Sequence, residues 1–576
     1  MTSLSETSVI TAGVATGEGF GSNCNARGDY LVGYAHNYTG SGLYGCVHLW
    51  KYVNSTWTKQ LNIFTHNSVN YDFLFNPNNT TQDLWRFGVT CDVSANGTYI
   101  CAGEHNNSSS ATLQGKIHLF QLQSGKYVNL NITQPSFGSQ YDLIAFSCSL
   151  NDAGDVMVVG AHYEDGSYAN NGAFSIYTRS GTTWTYNTTN VYSPSGVAET
   201  RFGRCVRLSY HGDFLLSSQP ADTVVANRNV FLYARSGTTA TYNLIGGIKT
   251  AVQNAGETLL TDNLGDVRTC DIYDRYAVCG SNAGFHVVEI TGSSGSYGIS
   301  HVQTVTEASL GDGNSSAFGY ACAIYGLTIC ACDQYYNTNY GKGYVYKLNP
   351  SGTPKLTLLY TLETGSAGSY LGQDTAILND HIFVGSALGD GKIYHYFQSI
   401  CFVSGSKVKT ETGYKLVENL KRGDMIWTEH AGFQPLARLI ASEGTAASIG
   451  TMILFKKDSL GVNCPSEDFI ITKGHPVFFN NNYYNPEDFV ANDAYENVIE
   501  VDGLAEKLYT LQFEEHHVIN VNGMKITSLP PYTNYKSLHL PEEMYFDKSK
   551  FNKDHIGKQY KPYMLHDDPL MKFTLK

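Results

Sequence analysis

Short apolar runs that close on small residues recur through the first 400 positions of the chain. They read YLVGYA from Tyr30, YICAGE from Tyr99, VMVVGAH from Val156, FLLSSQP from Phe214, YAVCGS from Tyr276, TICACD from Thr328 and IFVGSA from Ile382. Each follows an aromatic or leucine start: Phe20-Gly21, Phe87-Gly88, Phe146, Phe202-Gly203, Leu264-Gly265, Phe318-Gly319 and Leu371-Gly372. A third run comes after most of them, as in GCVHLWKY from Gly45, GKIHLFQL from Gly115, GAFSIYTR from Gly172 and GKIYHYF from Gly391. An outer strand with an aromatic often comes next, as around Trp57 and Trp184. The period-2 patterning and the turn residues between runs predict strands. The starts lie 53 to 67 residues apart, giving seven units. A unit of three or four strands is too small to enclose a core, and radial packing of such units is the β-propeller solution.

The repeated motif resembles the FG-GAP repeats of integrin-α-like seven-bladed β-propellers, over most of residues 15–397. Calcium-binding members of that family carry an Asp-x-Asp-x-Asp-Gly type loop between strands. The matching turns here read ARGD, SANG, NDAGD, YHGD, YDR, YG and ND. They lack the carboxylates that Ca²⁺ requires, so no metal is expected in the blades. The last unit stops at Phe397 without an outer strand, and residues 5–15 are expected to pair with it and close the ring. Arg27-Gly28-Asp29 spells an integrin-binding tripeptide, but it sits where other units place hairpin turns and is read as a turn. Cys24, Cys91, Cys148, Cys205, Cys270 and Cys322 fall on first strands, and Cys101, Cys279, Cys330 and Cys332 on second strands. Such positions suit small apolar core residues rather than metal ligands or disulfides.

Composition narrows the function classes. The net charge of −13 lacks the basic footprint of general nucleic-acid binding. No run of eighteen or more apolar residues is present for a membrane span, and Met1 to Ser22 lack the pattern of a secretory signal. The ten Asn-x-Ser/Thr sequons lie in a region rich in those residues, where chance supplies them. With no address in the sequence, virion and intracellular locations both stay open. Nothing in the repeats requires a cofactor. A propeller of this kind is expected to bind a partner, a protein or a glycan.

The pattern changes at Cys401. The repeat ends, basic residues become common, and strands of different spacing follow: KVKT, KLVENL, MIWTE, MILFKK, FIIT, VFFN, NVIEVDG, KLYTLQF and HVINVNGMKI. Four ordered blocks carry a second resemblance. They are Cys401-Phe402 with Gly405-Ser406 through Gly423-Asp424, then Thr472-Lys473-Gly474-His475-Pro476-Val477, Leu508-Tyr509-Thr510-Leu511, and His517-Val518-Ile519-Asn520-Val521-Asn522-Gly523. Together they resemble the Hedgehog/intein (Hint) domains, an all-β self-processing family, over residues 401–528.

That resemblance implies a single-turnover reaction at the Ile400–Cys401 bond. A cysteine on the C-terminal side of a peptide bond reaches the preceding carbonyl through a five-membered ring, at high effective molarity. Thiolate is the competent nucleophile. The departing amide nitrogen needs a proton, and imidazole supplies one near neutral pH. By resemblance His475 is that acid, and Thr472 orients it or the scissile amide. His517 is a second acid/base candidate, with His516 as the alternative. The product is a thioester that water, a thiol, an amine or an alcohol can intercept, so a small nucleophile is an expected acyl acceptor.

Departures from the family limit the outcome. Splicing inteins end in His-Asn before Cys, Ser or Thr, whereas this chain reads Met524-Lys525-Ile526-Thr527-Ser528 after Gly523. Cleavage without full splicing is therefore expected. Ile400 is β-branched and crowds its carbonyl, which slows attack. Residues 529–576, rich in Pro, Tyr, Lys and His, form a separate C-terminal tail that reads as a docking arm. The competing expectation is a binding or structural protein of a virion or cell surface with a catalytically inert Hint domain.

Overall fold

The computed structural model describes residues 3–528 except 5–7, 13–19, 36–44, 54–55, 77–84, 107–114, 136–142, 188–189, 221–223, 237–240, 262–263, 267–268, 311–316, 349–354, 365–367, 379–380, 387–390, 398–401, 430, 444–450, 473–474, 476, 480–481, 485, 491–494, 503–506 and 514–516. The fold is all-β. The chain separates into two compact units, one built of Met1, Ser8–Tyr346 and Leu358–His395, the other of Thr2–Thr7, Lys347–Thr357 and Tyr396–Lys576. The expected C-terminal tail, 529–576, lies outside the described residues.

In the first unit the described strands form seven sheets in chain order, one for each repeat, antiparallel except where Tyr127 meets Phe64 in a parallel pairing. The first sheet runs Phe20–Arg27, Tyr30–Ala35, Cys46–Val53 and Thr56–Lys59. The last runs Thr375–Leu378, His381–Ser386 and Lys392–Phe397, with Ser8–Ile10 as its fourth strand. Ser8 pairs with His395, Val9 with Tyr394 and Ile10 with Ile393. Ile10 and Ala12 share one buried cluster with Phe20, Leu31 and Trp50 of the first sheet and Leu378, Phe383 and Ile393 of the last.

The second strand of each sheet departs from strict alternation. Tyr30–Ala35, Val156–Ala161, Phe214–Gln219, Tyr276–Ser281, Thr328–Asp333 and His381–Ser386 are buried at every position. Each of these strands is covered on both faces by neighbouring sheets, so most of their side chains are apolar or small, with Gln219, Asp333 and His381 at strand ends as the exceptions. Outer strands such as Thr183–Tyr186 alternate between exposed and half-buried positions.

Two devices join neighbouring sheets. Side chains of first strands accept backbone N–H groups of the following first strand. Asn23 accepts from Cys91, Asp92 from Leu150, Ser149 from Leu208 and Asp271 from Ile324, at 2.8–3.2 Å. Asp374 of the last sheet accepts from Cys24 of the first at 2.8 Å. The second device is backbone proximity at glycine. A Cβ on Gly160 would stand 2.0 Å from the Gly203 carbonyl, and one on Gly385 would stand 2.0 Å from that of Gly21. The Phe-Gly starts and the small residues ending the second runs are thus two sides of one contact.

The third unit corrects the sequence reading. Phe146 is not its start. Ile144 pairs with Ala161 as Phe20 pairs with Ala35. Gly115 bridges to Ile144 as Gly172 does to Phe202. Ala145 takes the glycine position at φ +61°, and Phe146 turns its ring onto His162, centroids 4.4 Å apart. The Arg27-Gly28-Asp29 segment is a hairpin turn, with Arg27 paired to Tyr30 and Gly28 at φ +59°. The ten repeat-positioned cysteines are buried, and none of them is in a disulfide.

The C-terminal unit holds two further sheets. One has six strands, in the order Arg438–Glu443, Lys507–Gln512, Phe402–Val403, Phe469–Thr472, Thr451–Phe455 and Val498–Asp502. The other centres on Lys407–Thr410, Met425–Thr428, Val518–Val521, Met524–Thr527 and Val477–Phe479. Phe402, Val408, Ile426, Ile453, Ile471, Leu511, Ile519 and Ile526 meet in the core between them. Two expected strands change form. KLVENL is a strand, Gly413–Leu416, followed by a 3₁₀ turn at Val417–Asn419. HVINVNGMKI is a hairpin turning at Asn522 (φ +49°) and Gly523 (φ +85°). That two-residue Asn-Gly loop is the favoured hairpin connection.

Candidate functional site

Cys401, Ile400 and His516 lie outside the described residues. The site is therefore built from Phe402 onward. Phe402 is fully buried and sits mid-sheet, paired on one side with Ile471 and on the other with Tyr509. Val403 pairs with Leu508. A two-residue strand has little hold of its own, and here a ladder on each flank supplies it.

Thr472 ends the strand Phe469–Thr472 and is 4% exposed. The chain then passes from the six-stranded sheet to Val477–Phe479 of the other, and His475 lies on that crossing. The His475 backbone N–H donates to the Thr472 carbonyl at 3.2 Å, and the chain bends at His475. The imidazole is 1% exposed and lies against the Phe402 ring, centroids 4.5 Å apart and planes at 46°. Thr472 and His475 are thus brought to the strand that follows the expected scissile bond.

His517 enters from the second sheet, 5% exposed, with Phe513 edge-on at 5.4 Å. Its N–H donates to the Ser528 hydroxyl at 2.9 Å, and the Ser528 N–H donates back to the His517 carbonyl at 2.7 Å. Val518 pairs with Thr527, and Val477 with Ile526. His475, Ser528 and His517 therefore occupy the same end of three adjacent strands.

Ser528 is a buried member of this group that the sequence reading passed over. The signal was available: an Asn522-Gly523 turn fixes the register of its hairpin and sets residue 528 across from 517. Thr510, also buried, stands beside Tyr509 on the strand flanking Phe402. Asn522 pins the same hairpin to the domain's opening segment. Its N–H donates to the Lys407 carbonyl at 2.8 Å, and its side-chain oxygen accepts from the Lys407 N–H at 2.5 Å.

Residues 400–532 match the family described as Hint domain. The C-terminal region is a Hint domain. Among solved structures, it is similar to a bacterial intein-like domain from Clostridium thermocellum, at 14% identity, covering 23% of this chain and 100% of that one, with a TM-score of 0.18. It is also similar to the gp41-1 intein, at 13% identity, covering 22% and 98%, with a TM-score of 0.17. A longer alignment, at 12% identity, covers 67% of this chain and 94% of a proposed 6-phosphogluconolactonase from Bacteroides uniformis, with a TM-score of 0.39. No curated protein matches the chain. The Hint domain supports self-cleavage in general as the activity of the C-terminal region.

Proposed function

We propose that the Hint domain carries out an N-to-S acyl shift at Ile400–Cys401. The Cys401 thiolate attacks the Ile400 carbonyl carbon, the C–N bond breaks, and the amide nitrogen takes a proton to become the free amine of Cys401. Residues 1–400 are then held as a thioester on the Cys401 sulfur until water or another small nucleophile accepts the acyl group. His475 supplies the proton, Thr472 orients the amide, and His517 serves the later exchange.

The observation that carries this reading is the contact of the His475 imidazole with Phe402, the residue next to the proposed nucleophile. The antiparallel register through Phe402 adds to it. Carried one residue back, it makes Thr472 and Thr510 the neighbours that a strand extending to Cys401 would meet. A buried bend that excludes water also strengthens each hydrogen bond to a developing charge.

In the same reading the upstream body is a seven-bladed, FG-GAP-like β-propeller that binds a protein or glycan and is released or tethered by the cleavage. The succession of seven sheets, with the last hydrogen-bonded to the first through Asp374 and Cys24, supports it.

The test is a denaturing gel with intact mass of the purified full chain, with and without dithiothreitol, beside Cys401→Ala and His475→Gln. Wild type yields two thiol-accelerated fragments divided between 400 and 401, and Cys401→Ala yields none. His475→Gln slows cleavage by about 10²–10⁴-fold, the usual worth of a positioned acid. One intact wild-type band of unaltered mass, with or without thiol, sinks the proposal.

A further inference from the structure

The first strands of five sheets in the N-terminal unit surround one cavity: Phe20–Arg27, Val206–Leu208, Cys270–Tyr273, Ala321–Tyr325 and Thr375–Leu378. Its volume is about 40 Å³. A single water needs only ~10–15 Å³ on that measure, so the space takes two or three waters or one small oxyanion.

Two guanidinium groups line this cavity, and the protein treats them differently. Arg27 is clasped. Its Nε donates to Asp92 at 3.1 Å, its Nη1 to Asp152 at 3.4 Å, and its Nη2 reaches the Ser149 hydroxyl and the Leu208 carbonyl at 3.5 Å. Arg207 is 9% exposed, yet among the described residues its hydrogen bonding is one 3.4 Å contact from Nη1 to the carbonyl of its own neighbour Val206. No carboxylate of the described residues lies within 4.0 Å of it. Asp271 and Asp374 act on it only from beyond that range. A guanidinium carries five donors in a rigid fork, and those of Arg207 without a protein partner are not sealed off, so they are open to whatever enters the cavity.

We propose that this cavity binds the carboxylate of a small monoanionic ligand, gripped by Arg207 through paired hydrogen bonds. The planar fork matches a carboxylate. Asp271 lines the same space, so a dianion such as phosphate meets repulsion that a monoanion largely escapes. Burial pushes the Asp271 carboxyl up, against the pull of Arg207, which lessens that repulsion further. Tyr210, Tyr273 and Tyr325 also line the space, with ring centroids 4.6–5.7 Å apart, and offer the carbon end of the ligand an aromatic wall.

The probe is sodium acetate added to the full chain, read by saturation transfer to the acetate methyl group and by melting temperature against sodium chloride at equal ionic strength. Acetate gives saturation transfer and a concentration-dependent rise in melting temperature beyond chloride, and inorganic phosphate does not. Arg207→Gln weakens acetate binding at least about tenfold, the loss expected for a charge-assisted pair. Asp271→Asn, which keeps an oxygen for the Ile324 N–H, tightens it, and this variant decides the matter if Arg207→Gln does not fold. Four results overturn the assignment: acetate behaving as chloride does, because waters alone fill the cavity; phosphate binding more tightly than acetate; Arg207→Gln binding as wild type; or Asp271→Asn binding no tighter.

Discussion

At the scale of single residues, the repeat motif is a record of backbone proximity. The Phe-Gly starts were legible because glycine at positive φ and a fully buried aromatic are both rare combinations to repeat by chance. Gly21, Gly88, Gly203 and Gly319 stand at φ +85° to +98°, and Phe20, Phe87, Phe202 and Phe318 are fully buried. What the letters concealed was the third unit, where Ala145 adopts the same left-handed backbone with a methyl group attached. Gly160 isolates the proximity effect, because its own φ is unstrained while the Gly203 carbonyl blocks any side chain. Gly160→Ala is expected to destabilise the N-terminal unit by about 1–3 kcal/mol through forced separation of two sheets. Gly246→Ala, whose Cβ would meet only the Ile299 side chain at 3.5 Å, is expected to change stability far less. Urea midpoints of the two variants make the comparison, and equal midpoints would show that the proximity carries no energy.

Among the site residues, the Thr472–His475 pair was legible because both sit in one short block. Their relation to Phe402 was not, since it depends on a core contact between segments seventy residues apart in sequence. The same is true of Arg27. Its tripeptide was correctly read as a turn, but no sequence feature announced that the guanidinium would turn inward to Asp92 and Asp152.

At the scale of elements, burial on both faces explains why the second strands read as continuous apolar runs while the outer ones alternate. The two-residue strand Phe402–Val403 could not be found from periodicity, because two residues have none, and its form is imposed by the ladders on either side. The hairpin Val518–Thr527 could be found, and its Asn522-Gly523 turn would have delivered Ser528 as well. Ser8–Ile10 is the element with most to test. It covers an otherwise open edge of the last sheet and sends Ile10 into the cluster shared with the first. Deletion of residues 1–12 is expected to cost about 3 kcal/mol, from the buried isoleucine and the lost ladder, and to leave an edge prone to pairing with other chains. A urea midpoint and an elution volume unchanged from the full chain would contradict this.

At the scale of the whole molecule, the start of the Hint domain was legible from the change in composition at Cys401, whereas the placing of Thr2–Thr7 and Lys347–Thr357 with the second unit was not. The number of sheets in the first unit depended on counting repeats rather than on any one of them. Acid sensitivity is a property of that first unit as a whole. Burial pulls His48 and His395 down to about 3 and His286 to about 4, and burial with the neighbouring His395 pulls His381 well below the usual imidazole range. In the unfolded chain these rings titrate near ~6.5. Above that pH they are neutral in both states, and their contribution is fully retained. As the pH falls below it the unfolded chain takes up protons first, and stability drains away until the folded pKa is reached. At pH 4.5 each ring is expected to cost roughly 2–3 kcal/mol, so the urea midpoint of the N-terminal unit should fall steeply between pH 6.5 and 4.5. A flat profile over that interval would mean the rings are hydrated in solution.

The pairing of Ser8–Ile10 with Lys392–Phe397 has a further consequence. It makes the beginning and the end of the repeat region next-door neighbours, so chain order and spatial order are separable there. A short bridge could join those ends, and the polypeptide could be reopened at a turn between two successive repeats, giving circular permutants that keep every strand partner.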